Sequence, residues 1–196
     1  MKRFLLILVL AVMCSSVAKA DNFNDALEAY KKGDYASALK LWQPLAEKGN
    51  AAAQYNLGQM YRRGQGVKQD YEKAASWYQK AAEKGNAAAQ FNLGVKYRKG
   101  EGVIQDFKES VKWYRKAAEQ GDADAQNSLG VKYAEGRGVI QDYIRAHMWM
   151  NIAASNGEKD GSSNRDIVAK KMTAAQIAEA QKMARECEKK NYKNCD

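Results

Sequence analysis

Apolar and small side chains return along this chain on a helical period, in paired stripes separated by glycine-rich turns. Within residues 49–84 the first stripe is Ala53, Leu57, Gly58 and Tyr61, and the second is Ala74, Trp77, Tyr78 and Ala81. Each stripe occupies one face of a 3.6-residue period, the mark of an amphipathic helix. The pattern recurs at 85–120 almost verbatim and at 121–156 more loosely, a spacing of 36 residues. A unit of that length cannot bury its own apolar face and must stack on copies of itself. The expected product is an all-α array of helix pairs with a long grooved surface, which suits holding another protein better than housing chemistry.

Each copy carries its own punctuation. Asn50, Asn86 and Asp122 stand where an N-cap accepts backbone N–H bonds, and Asp70, Asp106 and Asp142 do the same for the second helix. Between them lie GQGVKQD, GEGVIQD and GRGVIQD, in which paired glycines supply a turn and a valine pins it from below. Gly58, Gly94 and Gly130 recur inside the first helix. A glycine there costs about 1 kcal/mol against alanine, so its recurrence predicts a neighbouring helix too close to admit a Cβ.

Residues 23–48 read as a shorter opening copy, built on Phe23, Leu27 and Tyr30 and then on Tyr35, Ala38, Leu41 and Trp42. Pro44, the only proline, is expected to bend or shorten that second helix. After Gly157 the register is lost. GEKDGSSN reads as a polar loop, 166–171 as a short helix, and Thr173 with Gln176 as a capping box opening a long helix toward Glu188. The stretch 157–196 thus supplies the atypical end piece that repeat arrays need.

The first twenty residues carry a different signal. Lys2 and Arg3 precede an apolar run from Phe4 to Met13, and Ala18-Lys19-Ala20 offers small residues at a cleavage site. This is the pattern of a secretory signal peptide cut after Ala20; the run falls short of the about 20 residues that span a bilayer. The mature chain, residues 21–196, then reads as one soluble domain, periplasmic or secreted. Its formal charge falls from +9 to +6, because Lys2, Arg3 and Lys19 leave with the signal. A modest positive charge outside the cytoplasm points to acidic protein surfaces or anionic envelope polymers, cell-wall glycan among them. No Lys/Arg-rich run or nucleic-acid motif is present, so nucleic acid is not an expected partner.

Cys14 also leaves with the signal, so the mature chain keeps Cys187 and Cys195. In an oxidising compartment two neighbouring cysteines are expected to form a disulfide, tying the tail to the last helix. The seven intervening residues do not suit a redox pair, and the only histidine, His147, is forty residues from Cys187. No metal or cofactor is expected. Ser37-Ala38-Leu39-Lys40 matches the S-x-x-K of penicillin-interacting enzymes, but neither K-T-G nor S-D-N accompanies it. The tryptophans Trp77, Trp113 and Trp149 repeat in register and read as core, and no triad or carboxylate pair stands out. The chain is not expected to be an enzyme.

The pattern A-x3-LG-x2-Y-x2-G-x-GV-x2-D, followed by A-x2-W and AA-x2-G, resembles the Sel-one-like repeat (SLR), a subfamily of tetratricopeptide-type helical repeats. Three copies carry it, and the opening piece resembles a tetratricopeptide unit without the SLR loop. The resemblance implies a right-handed superhelical solenoid of antiparallel helix pairs with a C-terminal capping helix. It also implies an adaptor or scaffold role, often exported and tied to the bacterial envelope. A few relatives are linked with β-lactam binding, so the alternative function is a binder or hydrolase of cell-wall fragments or β-lactams. In such repeats the first helix of each pair lines the concave face. Carried over, the groove positions are Tyr55, Gln59, Arg62 and Arg63, then Phe91, Val95, Arg98 and Lys99. The third copy has Asn127, Val131, Ala134 and Glu135 there, so contact is expected to centre on the first two copies. Aromatic and arginine side chains dominate protein-binding hot spots; the implied partner is a protein segment that is acidic or aromatic-bearing.

Overall fold

The computed structural model describes residues 22–195, so the leader read at 1–20 lies outside them. The described residues form ten helices and no strand. They are α1 (22–31), α2 (Tyr35–Glu47), α3 (Ala51–Arg63), α4 (Tyr71–Glu83), α5 (Ala87–Lys99), α6 (Phe107–Ala118), α7 (Ala123–Glu135), α8 (Tyr143–Ser155), α9 (Gly161–Ala169) and α10 (Ala174–Lys189). The chain divides into two compact units, the first ending at Lys80 and the second beginning at Ala81. Ala26, Ala38, Trp42, Leu57 and Met60 form the core of the first. The second is built around Tyr114, Leu129, Trp149, Met150 and Ile152.

The caps fall where the sequence places them. Asn50, Asn86 and Asp122 each accept the backbone N–H three residues on, at 2.8 Å. Asp70, Asp106 and Asp142 cap α4, α6 and α8 in the same way. The C-termini are closed by glutamines. Gln54, Gln90 and Gln126, all buried, donate to the carbonyls of Ala46, Ala82 and Ala118 at the end of the preceding helix, at 2.9, 3.0 and 3.2 Å. Gln69, Gln105 and Gln141 of the loops donate to Arg62, Arg98 and Ala134 at the end of each first helix, at 2.9, 2.9 and 2.8 Å. These carbonyls have no partner inside their own helices, so each glutamine closes one helix end while tying two segments together.

The helical glycines mark the closest packing. A Cβ built on Gly58 would sit 2.7 Å from the Tyr78 ring, and one on Gly94 would sit 2.7 Å from Tyr114. On Gly130 it would meet Met150 at 2.8 Å and the Ala146 carbonyl at 3.0 Å. Glycine is also required in the loops: Gly138 has φ +83°, and a Cβ there would lie 2.2 Å from the Phe107 carbonyl.

Three details differ from the sequence expectation. Pro44 does not shorten α2, which runs through it to the usual 13 residues. It stands in the closing turns, where the loss of one N–H donor leaves the earlier ladder whole. Helix α9 starts at Gly161, so Ser162, Ser163 and Asn164 are helical rather than loop. Gly161 is buried, and a Cβ built on it would lie 2.8 Å from the Ala154 nitrogen, so the helix opens where glycine lets it seat on α8. Trp113 and Trp149 are buried, but Trp77 is partly exposed beneath the Lys80 ammonium, 4.2 Å away.

Helix α10 opens on the Thr173–Gln176 capping box and packs, like α9, on α8. Beyond it a disulfide joins Cys187 and Cys195, with the Cα atoms 5.3 Å apart. The loop so closed holds Tyr192 against the repeats: its hydroxyl donates to Asn156, whose amide donates to the buried Gln126. His147 lies inside α8 at 2 % exposure with Nδ1 unbonded.

Two predictions follow from this packing. Gly94→Ala gains about 1 kcal/mol of helix propensity but overpacks Tyr114, which costs about 1–3 kcal/mol; urea unfolding is expected to show a net loss. For His147, burial and then the Arg165 charge hold the imidazole below its ordinary value, with Asp166 opposing. A depressed folded pKa means that stability is full above pH about 6.5 and falls as the pH drops below it. Melting from pH 7.5 to 5.5 is expected to show a steeper decline for the parent than for His147→Met.

Candidate functional site

The first helix of each copy carries one residue ladder with three different outcomes. On α3, Gln59 donates to the Tyr55 hydroxyl at 2.7 Å and accepts from Arg62 at 2.9 and 3.1 Å. Arg63 donates to the Tyr30 hydroxyl at 3.2 Å, and that hydroxyl donates to Gln65. The Tyr55 ring packs on Tyr78, with centroids 6.0 Å apart. Burial pushes the Tyr78 hydroxyl up, an effect that the nearby Arg62 guanidinium offsets in part. The four positions expected in the first copy therefore stand together, largely occupied with one another.

On α5 the ladder opens. Phe91 and Val95 replace Tyr55 and Gln59, so the amide that holds Arg62 has no counterpart beside Arg98. Phe91 packs on Tyr114 at 5.8 Å. Burial pushes the Tyr114 hydroxyl up, and the Arg98 guanidinium against it pulls the other way. On α7 the same positions shrink to Asn127, Val131 and Ala134. The result is a groove of about 660 Å³ within the second unit, walled by Phe91, Val95 and Arg98 of α5, Phe107 at the start of α6, Val131 of α7, and Arg137 from the loop after α7. Lys99 stands at its edge. The third copy, expected to contribute little, forms one side of it.

Beneath this groove lie two charges that the sequence reading missed. Lys96 and Lys132 are buried, at 2 % and 4 % exposure, in the register that Met60 fills in the first copy. Each ammonium meets a carboxylate: Lys96 donates to Glu101 at 2.7 Å and Lys132 to Glu135 at 2.5 Å. The bond from Lys96 holds the Glu101 carboxyl below its ordinary range against the opposing effect of burial. A lysine between two apolar positions of a helix looks like a solvated residue, and nothing in the local pattern marks it as buried. The second omission is the middle residue of each G-x-G. Gln65 accepts from Tyr30, Glu101 engages Lys96, and Arg137 lies over the Phe107 ring at 4.8 Å. The shared behaviour of this position was available in the repeat alignment, had the loop been read as more than a turn.

Ser37 is the third residue of α2, where its N–H donates to the Asp34 cap. Among the described residues no cluster of three His, Cys, Asp or Glu side chains could hold a metal ion, and no helix is long and apolar enough to cross a membrane.

Helix pairs of this length, closed by glutamines and opened by G-x-G loops, define a helical-repeat protein. The profile described as "Sel1 repeat" matches residues 27–50, 51–86, 87–122 and 123–158. The chain belongs to the Sel1 repeat family, and its opening piece counts as a shortened repeat of the same kind. Among solved structures it is similar to a protective antigen present in uropathogenic Escherichia coli strains that displays an SLR fold. That match has 36 % identity and TM-score 0.82, covering 93 % of this chain and 40 % of the other. It is also similar to a Sel1 repeat protein from Oxalobacter formigenes, at 36 % identity and TM-score 0.72, covering 85 % of this chain and 69 % of that one. The chain thus spans less than half the length of the E. coli antigen. No curated protein matches it. The fold is the SLR solenoid of antiparallel helix pairs, and Sel1 repeat proteins generally mediate protein–protein interactions.

One prediction tests the buried pairs. Lys96→Met restores the apolar side chain of the first copy and leaves Glu101, whose side chain is 35 % exposed, able to hydrate. Replacing a buried ion by a packed apolar group is often neutral or stabilising. Urea unfolding is expected to show a change within about 1 kcal/mol, with the Glu101 carboxyl titrating higher by NMR.

Proposed function

We propose that this chain is an exported, non-catalytic adaptor of the bacterial envelope that holds a protein partner along its first helices. The observation that carries this reading is the groove of the second unit, which joins aromatic and aliphatic side chains to two arginines that form no ion pair among the described residues. Those are the side chains that anchor protein partners. The family's general role in protein–protein contacts supports it, as does the likeness to a protective antigen. A leader cut after Ala20 and a disulfide between Cys187 and Cys195 suit a periplasmic or secreted location. The partner in this reading is a protein segment that is acidic or aromatic-bearing, and its contacts are Tyr55, Gln59, Arg62 and Arg63 in the first unit and Phe91, Val95, Arg98 and Lys99 in the second.

The test is affinity capture from envelope extract with purified residues 21–196, beside the Arg62→Glu, Arg98→Glu double variant. A discrete protein held by the parent and lost by the variant, with melting unchanged, is the expected result. Capture of cell-wall glycan in place of protein, or equal capture by both chains, would overturn the adaptor reading or its groove.

A further inference from the structure

Resting on that adaptor reading, we propose that the groove of the second unit recognises an extended internal segment of its partner. The segment carries an Asp or Glu side chain next to a bulky aliphatic one, with the carboxylate held between Arg98 and Arg137. The argument begins with charge. Six ionised side chains line the groove: Arg98, Lys99, Lys132, Arg137, Glu101 and Glu135. Both carboxylates are already committed. Glu101 meets the buried Lys96 and Glu135 the buried Lys132, with Lys99 a further 3.5 Å neighbour of Glu101. A buried ammonium that loses its partner is strongly destabilising, so neither glutamate is free to turn toward an arginine.

The two guanidinium groups are left without a carboxylate. Arg98 forms no ion pair among the described residues; it leans on the Tyr114 hydroxyl, where Arg62 of the first copy is instead tied to Gln59. Arg137 stands over the Phe107 ring, 4.8 Å from its centroid, and likewise has no acidic partner among the described residues. Stacking on an aromatic face leaves the planar fork of a guanidinium directed outward, the geometry that binds carboxylates through two parallel hydrogen bonds. The same groove presents the apolar side chains Phe91, Val95 and Val131. An aliphatic side chain beside the acid covers them.

Length sets the size of the segment. The groove residues of α5 run from Phe91 to Lys99, roughly 12 Å along a helix at 1.5 Å per residue. About four extended residues at 3.3 Å each fill that span, so a strand of peptide passing through uses all of it.

The experiment is selection from a library of random twelve-residue peptides, each displayed as a loop with both ends tethered, on the purified chain 21–196. The expected outcome is enrichment of Leu, Ile, Val or Phe adjacent to Asp or Glu. A selected peptide, amidated and acetylated, is then titrated by fluorescence anisotropy. Arg98→Gln and Arg137→Gln are each expected to weaken it about tenfold, while Lys182→Gln, on α10 outside the groove, leaves it unchanged. Replacing the peptide's acid by its amide is expected to erase the effect of both variants. Circular dichroism melting checks that the variants stay folded. Enrichment without an acid, equal binding by the arginine variants, binding only to a free C-terminal carboxylate, or no enrichment would each overturn the proposal. A protein captured from envelope extract by the Arg98→Gln, Arg137→Gln double variant as well as by the parent would sink this clasp while leaving the adaptor reading intact.

Discussion

The approach of the two helices in each repeat sets the terms for everything built on them. At Gly58, Gly94 and Gly130 the second helix presses its side chain, Tyr78, Tyr114 or Met150, into space that a Cβ would occupy. Glycine in a helix is unfavourable by itself, so the interaction survives because close packing offsets that cost. The consequence reaches the groove directly. Tyr114, held against Gly94, carries Phe91 on its ring and the Arg98 guanidinium against its hydroxyl. The same contact that closes the repeat therefore positions the wall of the candidate site.

Polar closure of the helix ends is the complement of that apolar contact. Buried carbonyls must find donors, and here the donors are glutamine amides repeated at two registers. One ties each first helix to the helix before it, through Gln54, Gln90 and Gln126. The other folds the G-x-G loop back on its own first helix, through Gln69, Gln105 and Gln141. With both ends satisfied, the remaining positions of the first helix are released from structural duty. They vary from copy to copy, Tyr55 to Phe91 to Asn127, and their variation opens a groove in one unit while the first copy fills its own with hydrogen bonds. The charge surplus of that groove arises because its acids are spent on Lys96 and Lys132.

Much of this was legible in the chain itself. The 36-residue period, the caps at Asn50, Asn86 and Asp122, the helical glycines and the Thr173–Gln176 box are local or periodic signals, and each describes the same element in the structure. Groove positions on α3 and α5 followed from the resemblance, and the structure sets Phe91, Val95, Arg98 and Lys99 around one cavity. What escaped were features that depend on a neighbour. Nothing along the chain marks Lys96 and Lys132 as buried, because local pattern records polarity and not what lies across from it. Arg137 read as a turn residue because its partner, Phe107, stands thirty residues earlier at the start of α6. The early start of α9 likewise came from Gly161 seating on α8.

The sequence by itself determined the repeat, its helix pairs, their caps and the family to which the chain belongs. Backbone hydrogen bonding and helical periodicity act over a few residues, and their signals are written in order along the chain. Only the tertiary structure decided which charges pair and which remain. Desolvation makes each buried lysine claim a carboxylate five or three residues further on, and what buries the lysine is the packing across from its helix, which the spacing within that helix does not encode.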